Sequence, residues 1–212
     1  MISLNRAPFM PPFRGNSPLN EPDAMRDRTA LKPLTLVAVL MLALASFPFS
    51  ARSQDANSMK ARALVDAAIK MSDSDAAVKL LWQATDIAPS DEDAYVYLGL
   101  YYNSRSDFTN VVKVYQKLVK YQPKQVSAYL NIGEAFMSFS PPKTDDALIY
   151  YRKAYEIDPK NTFAALRIGQ LLAQTGQRDD ALKFLKIALA DGAKHPTVAS
   201  EAEKTLKQMG AP

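Results

Sequence analysis

His195 is the single histidine of the 212-residue chain. It stands beside Pro196, where a loop is expected. A lone imidazole can do acid–base work near neutral pH, but no nucleophile pattern accompanies it, so a surface place is the better expectation. There is no His-x-x-x-His pair to support a histidine-based zinc site. There is no cysteine either, which removes thiolate metal sites, disulfides and cysteine nucleophiles. The paired acids Asp145-Asp146 and Asp179-Asp180 could serve metal or acid chemistry. Their recurrence just ahead of apolar segments favours helix capping instead. Gly133 and Gly169 stand alone rather than in a phosphate-cradling cluster. The tyrosines between 95 and 155 could form a ligand cage. Tyr95, Tyr102, Tyr115, Tyr129 and Tyr151, however, fall on regular stripes that predict core. The reading is therefore a chain that is not an enzyme and needs neither cofactor nor metal.

The elements that carry these residues follow from spacing. In "YVYLGLYY", Tyr95 to Tyr102, the local preference is for a strand. Yet Tyr95, Leu98, Gly99 and Tyr102 are spaced i, i+3, i+4, i+7, which is one stripe of a helix. Tyr129, Ile132, Gly133 and Phe136 repeat that stripe 34 residues later. Ala165, Ile168, Gly169 and Leu172 repeat it again after another 36. Each stripe is followed by a second apolar set: Val111, Tyr115, Leu118 and Pro123; then Ala147, Tyr151, Ala154 and Pro159; then Ala181, Leu185 and Ala188. An earlier copy reads Ala61, Leu64 and Ala68, followed by Ala77, Leu81, Ala84 and Pro89.

This succession resembles the tetratricopeptide repeat family, whose pattern is a bulky residue, Leu-Gly, an aromatic, then Ala, an aromatic and Pro. Tyr95-x-x-Leu98-Gly99-x-x-Tyr102 carries the first half closely, and the repeat that follows carries both halves. Val65 replaces the glycine in the first repeat; Ala165 takes the bulky place in the fourth, and Pro196 comes late. The resemblance implies an all-α fold, a right-handed α-solenoid of about four helix-turn-helix repeats over 58–91, 92–125, 126–161 and 162–195. A capping helix over 196–210 would close the domain 58–210 with a polar outer face. Small residues at the glycine positions, and at Ala147 and Ala181, would let the paired helices pack closely.

Turn chemistry sets the boundaries. In "IAPSDED" Ser90 can cap a helix, with Asp93 three residues on. Asn161 can do the same in "IDPKNTF". Gly176 can end a helix in "AQTGQRDDA", and the acids after it suit a helix start. "FSPPKTDDA" is two residues longer and reads as a rigid inserted turn, with a partner-contact loop as the alternative.

Family resemblance also implies a concave groove lined by the first helix of each repeat, where an extended peptide or a helix of another protein docks. The residues placed there are Val96, Tyr97, Leu100 and Asn103; then Leu130, Asn131, Glu134 and Met137; then Leu166, Arg167, Gln170 and Ala173. Apolar residues flanked by a few polar groups suit peptide recognition; the competing reading makes them part of the inter-repeat core. Some relatives hold a partner's C-terminal carboxylate with Lys and Asn on successive repeats. Asn131 and Arg167 fit part of that arrangement, but Val96 and Leu100 stand where the preceding repeat needs Lys and Asn. Starting one repeat earlier offers Arg62 and Asp66, and then Tyr97 replaces the next Asn. No carboxylate clamp is expected.

The N-terminal part reads as an address. Residues 1–24 hold five prolines and little periodicity, a disordered extension. Arg26, Arg28 and Lys32 then lead an apolar run from Leu34 to Phe49, and Ala51 and Ser53 put small residues ahead of a cut before Gln54. That order over 25–53 matches a secretory signal peptide, with translation starting at Met1 or Met25. As a retained inner-membrane anchor, residues 34–49 would reach about 24 Å as a helix, short of the ~30 Å hydrocarbon core. Residues 1–53 carry six Lys/Arg and three acids, leaving 20 basic and 19 acidic side chains beyond them. So even a balance gives no footprint for nucleic acid. The expectation is a non-catalytic periplasmic or secreted adaptor for another protein, with membrane contact only through an uncleaved N-terminal segment. The runner-up is a structural, self-associating envelope protein or an accessory subunit.

Overall fold

The computed structural model describes residues 49–72, 74–190 and 194–210. The extension read over 1–24 and nearly all of the signal segment and apolar run lie outside them. The described residues form helices and no strands: α1 (Phe49–Ile69), α2 (Ser74–Ile87), α3 (Asp93–Ser104), α4 (Phe108–Tyr121), α5 (Val126–Met137), α6 (Thr144–Ile157), α7 (Thr162–Gln174), α8 (Arg178–Leu189) and α9 (Pro196–Gln208). None of them is long and apolar enough to cross a membrane. Sequential neighbours pack on one another from α2 through α9, and α9 also rests on α7. This is an α-solenoid of helix-turn-helix units.

The stripes become the core. Tyr95, Leu98, Ile132, Ala165, Ile168 and Leu172 on the first helices are buried, as are Val111, Tyr115, Leu118, Ala147, Tyr151, Ala154, Ala181, Leu185 and Ala188 on the second. The strand preference of "YVYLGLYY" is thus overridden by burial of one helical face. In the first repeat Ala61, Val65 and Ala68 are buried and Leu64 only partly.

At the glycine positions what comes close is a side chain of the second helix. A Cβ on Gly133 would stand 2.5 Å from Tyr151 Cε1, and one on Gly99 would stand 2.8 Å from Tyr115 Cζ. At Gly169 a Cβ would meet Leu185 Cγ at 2.8 Å and its backbone nitrogen at 3.2 Å. The glycine therefore makes room for a ring or a leucine crossing its Cα. A second recurring contact explains the bulky position. Tyr95 donates its hydroxyl to Pro89 O (3.0 Å), and Tyr129 does so to Pro123 O (3.1 Å). Each latches its helix to the preceding turn. Ala165 has no hydroxyl to do this.

The turns correct two expectations. Ser90 does not cap α3: the Asp93 backbone N–H donates to Asp91 Oδ1 (3.2 Å), and the N-cap is Glu92 without a side-chain bond. The acids 145, 146, 179 and 180 lie in the first turns of α6 and α8, behind N-caps Lys143 and Gln177. They act on the helix dipole there rather than as side-chain caps. Asn161 does cap, accepting from Ala164 N at 2.9 Å. Gly176 takes the left-handed conformation just past α7, with φ 78°, which glycine permits without strain. In the longer turn before α6, the Lys143 ammonium sits 4.4 Å over the Phe139 ring, while Pro141 and Pro142 are exposed. The outer face of α9, with Ser200, Glu203, Lys204, Lys207 and Gln208, is polar and exposed, as an end cap requires.

Candidate functional site

Helices α3, α5 and α7 present equivalent positions to the same face, because their glycines stand at equivalent places. One row runs Val96, Leu130, Leu166; the next Tyr97, Asn131, Arg167; the third Leu100, Glu134, Gln170; the fourth Asn103, Met137, Ala173. Of these, Leu166 is buried and belongs to the inter-repeat core. Val96, Leu130, Asn131, Glu134, Met137, Arg167, Gln170 and Ala173 are half-buried. Tyr97, Leu100 and Asn103 are exposed, the first two at 39% each.

The two ends of this face differ. At α3 it is apolar: Tyr97 and Leu100 stand out from the buried stripe. At α5 and α7 it is a charged network. The Arg167 guanidinium donates from Nε to Glu134 Oε1 (2.7 Å) and from Nη2 to Glu134 Oε2 (3.2 Å). This is a two-point pairing that fixes both side chains. Arg167 Nη1 donates to Gln170 Oε1 at 3.0 Å, and the guanidinium covers the Phe163 ring at 4.8 Å. Tyr151 donates its hydroxyl to Glu134 Oε1 at 2.6 Å. From α9, Glu201 Oε2 accepts from Gln170 Nε2 at 3.4 Å and lies 3.6 Å from Arg167 Nη1. Four helices thus meet in one polar cluster.

Electrostatics follow from that geometry. Burial alone would lower the Arg167 pKa. The charges of Glu134 and Glu201 and the neighbouring Tyr151 raise it above its ordinary value. Burial first, then the Glu134 charge and hydrogen bond, push the Tyr151 hydroxyl well up. Neither group titrates near neutral pH. Proton exchange near neutral pH is therefore not what the Arg167 guanidinium and the Tyr151 hydroxyl are arranged for. Among the described residues there is no group of three or more His, Asp or Glu side chains placed to hold a metal. His195 sits exposed at the N-cap of α9.

The sequence places Arg167 on the groove as a charge for a partner. In the structure its side chain is only 19% exposed and committed within the molecule, because Glu134 stands one repeat back at matching height. Sequence reasoning also misses Glu201 and Tyr151 as members of the cluster. The stripe puts Tyr151 in the core, where it is fully buried; its hydroxyl meets Glu134 from beneath. The sole signal for Glu201 is that the capping helix must cross the groove end somewhere.

Two family models described as tetratricopeptide repeat match this chain, at residues 112–162 and 143–200. Among curated proteins it is similar to mouse tetratricopeptide repeat protein 21B, 25% identical over 67% of this chain and 11% of that protein. It is also similar to mouse tetratricopeptide repeat protein 21A, 29% identical over 58% of this chain and 9% of that protein. The chain spans about a tenth of the length of these relatives. Among solved structures it resembles TTC0263, a thermophilic TPR protein of Thermus thermophilus. The TM-score is 0.52 with 22% identity, covering 71% of this chain and 83% of the other. MamA gives a TM-score of 0.54 with 21% identity over 65% and 81%. YrrB, described as a TPR protein with an unusual peptide-binding site, gives 0.53 with 18% identity over 76% and 84%. These matches place tetratricopeptide repeats within residues 112–200, and the structural likeness shows an all-α solenoid fold.

Proposed function

We propose that the protein is a non-catalytic adaptor that binds a segment of another protein, a peptide or a helix, on the face formed by α3, α5 and α7. The observation that carries this reading is the exposed pair Tyr97 and Leu100 on the same rows as the Glu134–Arg167 cluster. An apolar pair beside polar groups on one face has the composition of a peptide-docking surface. The peptide-binding site of YrrB supports the reading by analogy of fold only. The groove is short, so a partner should bury under ~1,200 Å², in the range of weak and transient contacts. We place the adaptor in the cell envelope, periplasmic or secreted. What supports that is the basic lead and apolar run of residues 25–53.

Leu100→Asp tests the reading. It puts a charge on the apolar end of the face at an exposed position, so the melting temperature should hold while partner capture falls at least tenfold. Unchanged capture of a partner that the parent protein retains would remove the groove from consideration. A second reading, self-association, is favoured by exposed apolar residues on and just after α1, Met59, Ile69 and Met71. Light scattering separates the two, since a monomer across the accessible concentration range excludes it.

A further inference from the structure

The charged end of the face specifies the sign of what it can hold. Glu134 and Glu201 place two carboxylates around one guanidinium, so the cluster is net negative by one charge. Its cation is spent: Nε, Nη1 and Nη2 of Arg167 all face partners within the protein. A carboxylate approaching this end meets a guanidinium whose charge is already paired with Glu134, and an excess of negative charge. Glu201 is in the opposite condition. Its nearest donors are at 3.4 and 3.6 Å, longer than a good N–H···O bond, and its side chain is 38% exposed. It has room to accept from a donor outside the molecule. Glu134 is 38% exposed as well, yet its Oε1 already accepts two short bonds. Leu100 and Tyr97 lie toward the other end of the same rows.

Building on the adaptor reading above, we infer that the partner segment is basic and apolar. It presents an apolar side chain to Tyr97 and Leu100 and a lysine or arginine to Glu201 beside Glu134. The loosely held, exposed carboxylate is the anchor, and the neutralised Arg167 is its positioning residue. An acidic C-terminal tail is the wrong occupant, because the face offers it no uncommitted cation.

Three sets of fluorescein-labelled synthetic 12-residue peptides test this against the full chain by anisotropy. They share one pattern of leucine and phenylalanine, with the intervening positions filled by lysine, by glutamate or by serine. The lysine set should bind at least fivefold tighter than the serine set, and the glutamate set more weakly than either. Glu201→Gln, a change at a half-exposed side chain, should bring the lysine set to the affinity of the serine set and leave the melting temperature in place. Because bulk charge alone could favour lysine, Leu100→Asp serves as the second variant: it adds a negative charge yet should weaken the lysine set. Tighter binding of the glutamate set, lost in Leu100→Asp, would overturn the basic partner and leave the groove standing. Binding of the lysine set that neither variant alters would overturn it too, as would binding of none of the three sets, which would also take down the groove.

Discussion

Two joints of the solenoid use the same parts and finish differently. In the second repeat, Tyr115 of α4 lays its ring on Gly99 of α3; in the third, Tyr151 of α6 lays its ring on Gly133 of α5. Both tyrosines are buried. Tyr151 ends on Glu134, but the place equivalent to Glu134 in the earlier joint is Leu100. There the Tyr115 hydroxyl is buried with no hydrogen-bond partner. One joint is thus closed by a polar network spanning four helices, and the other only by packing. A buried hydroxyl without a partner costs about 1–3 kcal/mol relative to a satisfied one. The comparison teaches that the glycine–ring contact is the repeat's shared device, while the residue one position after the glycine decides whether the face above it is apolar or charged. Leu100 leaves it free for an apolar contact at the expense of the hydroxyl below.

The third joint should break hardest at its charges. Arg167→Glu would set three carboxylates together in a half-buried site and leave Glu134 and Gln170 without the guanidinium they share. Removing one partner of a buried pair is strongly destabilising; at this exposure about 3 kcal/mol is expected in denaturant unfolding. A loss under about 1 kcal/mol would show that the pairing is ornamental. Gly133→Leu should follow at roughly 2–3 kcal/mol, because extra methylenes in a packed joint force side chains off their rotamers. Its Cβ alone would overlap the Tyr151 ring at 2.5 Å. The same substitution at Gly99 should cost less, because it displaces the hydroxyl end of Tyr115, which no hydrogen bond holds in place. Equal costs at the two glycines would erase the distinction.

How far these two joints can be read from sequence depends on what each contact needs. The stripes, the glycines and the ring residues are legible because burial repeats with the helical period, and the period is visible without coordinates. Hence the all-α solenoid and the buried places of Tyr95, Tyr115 and Tyr151 are readable. The site is legible only in part. The sequence offers Tyr97, Leu100 and Asn103 as groove residues against a competing inter-repeat core reading, and in the structure the three are exposed. Arg167 reads as available because its partner Glu134 is 33 residues away, and pairing across repeats depends on side-chain reach rather than on pattern. Glu201 is invisible for the same reason, two helices further on. Capping at Ser90 fails on a smaller scale: Asp91, the next residue, already supplies the acceptor.

Tyr151→Phe sharpens the comparison next. It keeps the ring over Gly133 and removes only the donor to Glu134. A charge-assisted hydrogen bond of this kind is worth about 1.5–3 kcal/mol, so a loss near ~2 kcal/mol is expected. The change should also show in alkali. The folded state holds the Tyr151 hydroxyl above its ordinary value. A group raised on folding contributes stability that is complete below its unfolded value, near ~10, and is lost as pH climbs beyond it. Unfolding titrations should therefore show stability falling above pH ~10. The slope should be shallower in Tyr151→Phe by up to ~1.4 kcal/mol per pH unit, and identical slopes would mean the hydroxyl ionises as freely folded as unfolded.

Tyr115→Phe is the smallest expected effect and the most discriminating, because its sign is opposite. The ring remains across Gly99, held by the same neighbours, and the atom removed is one that folding strips of water without giving it a partner. Phenylalanine has no such group to desolvate. The variant should be as stable as the parent or up to about 1 kcal/mol more so, measured by denaturant midpoint at constant slope. Burial also raises the Tyr115 hydroxyl's pKa, so this variant should flatten the alkaline limb as Tyr151→Phe does while leaving neutral stability intact. A clear loss at neutral pH would mean that the hydroxyl has found an acceptor in solution. The second joint would then be closed like the third, and Leu100 would no longer mark the point where the solenoid's face changes character.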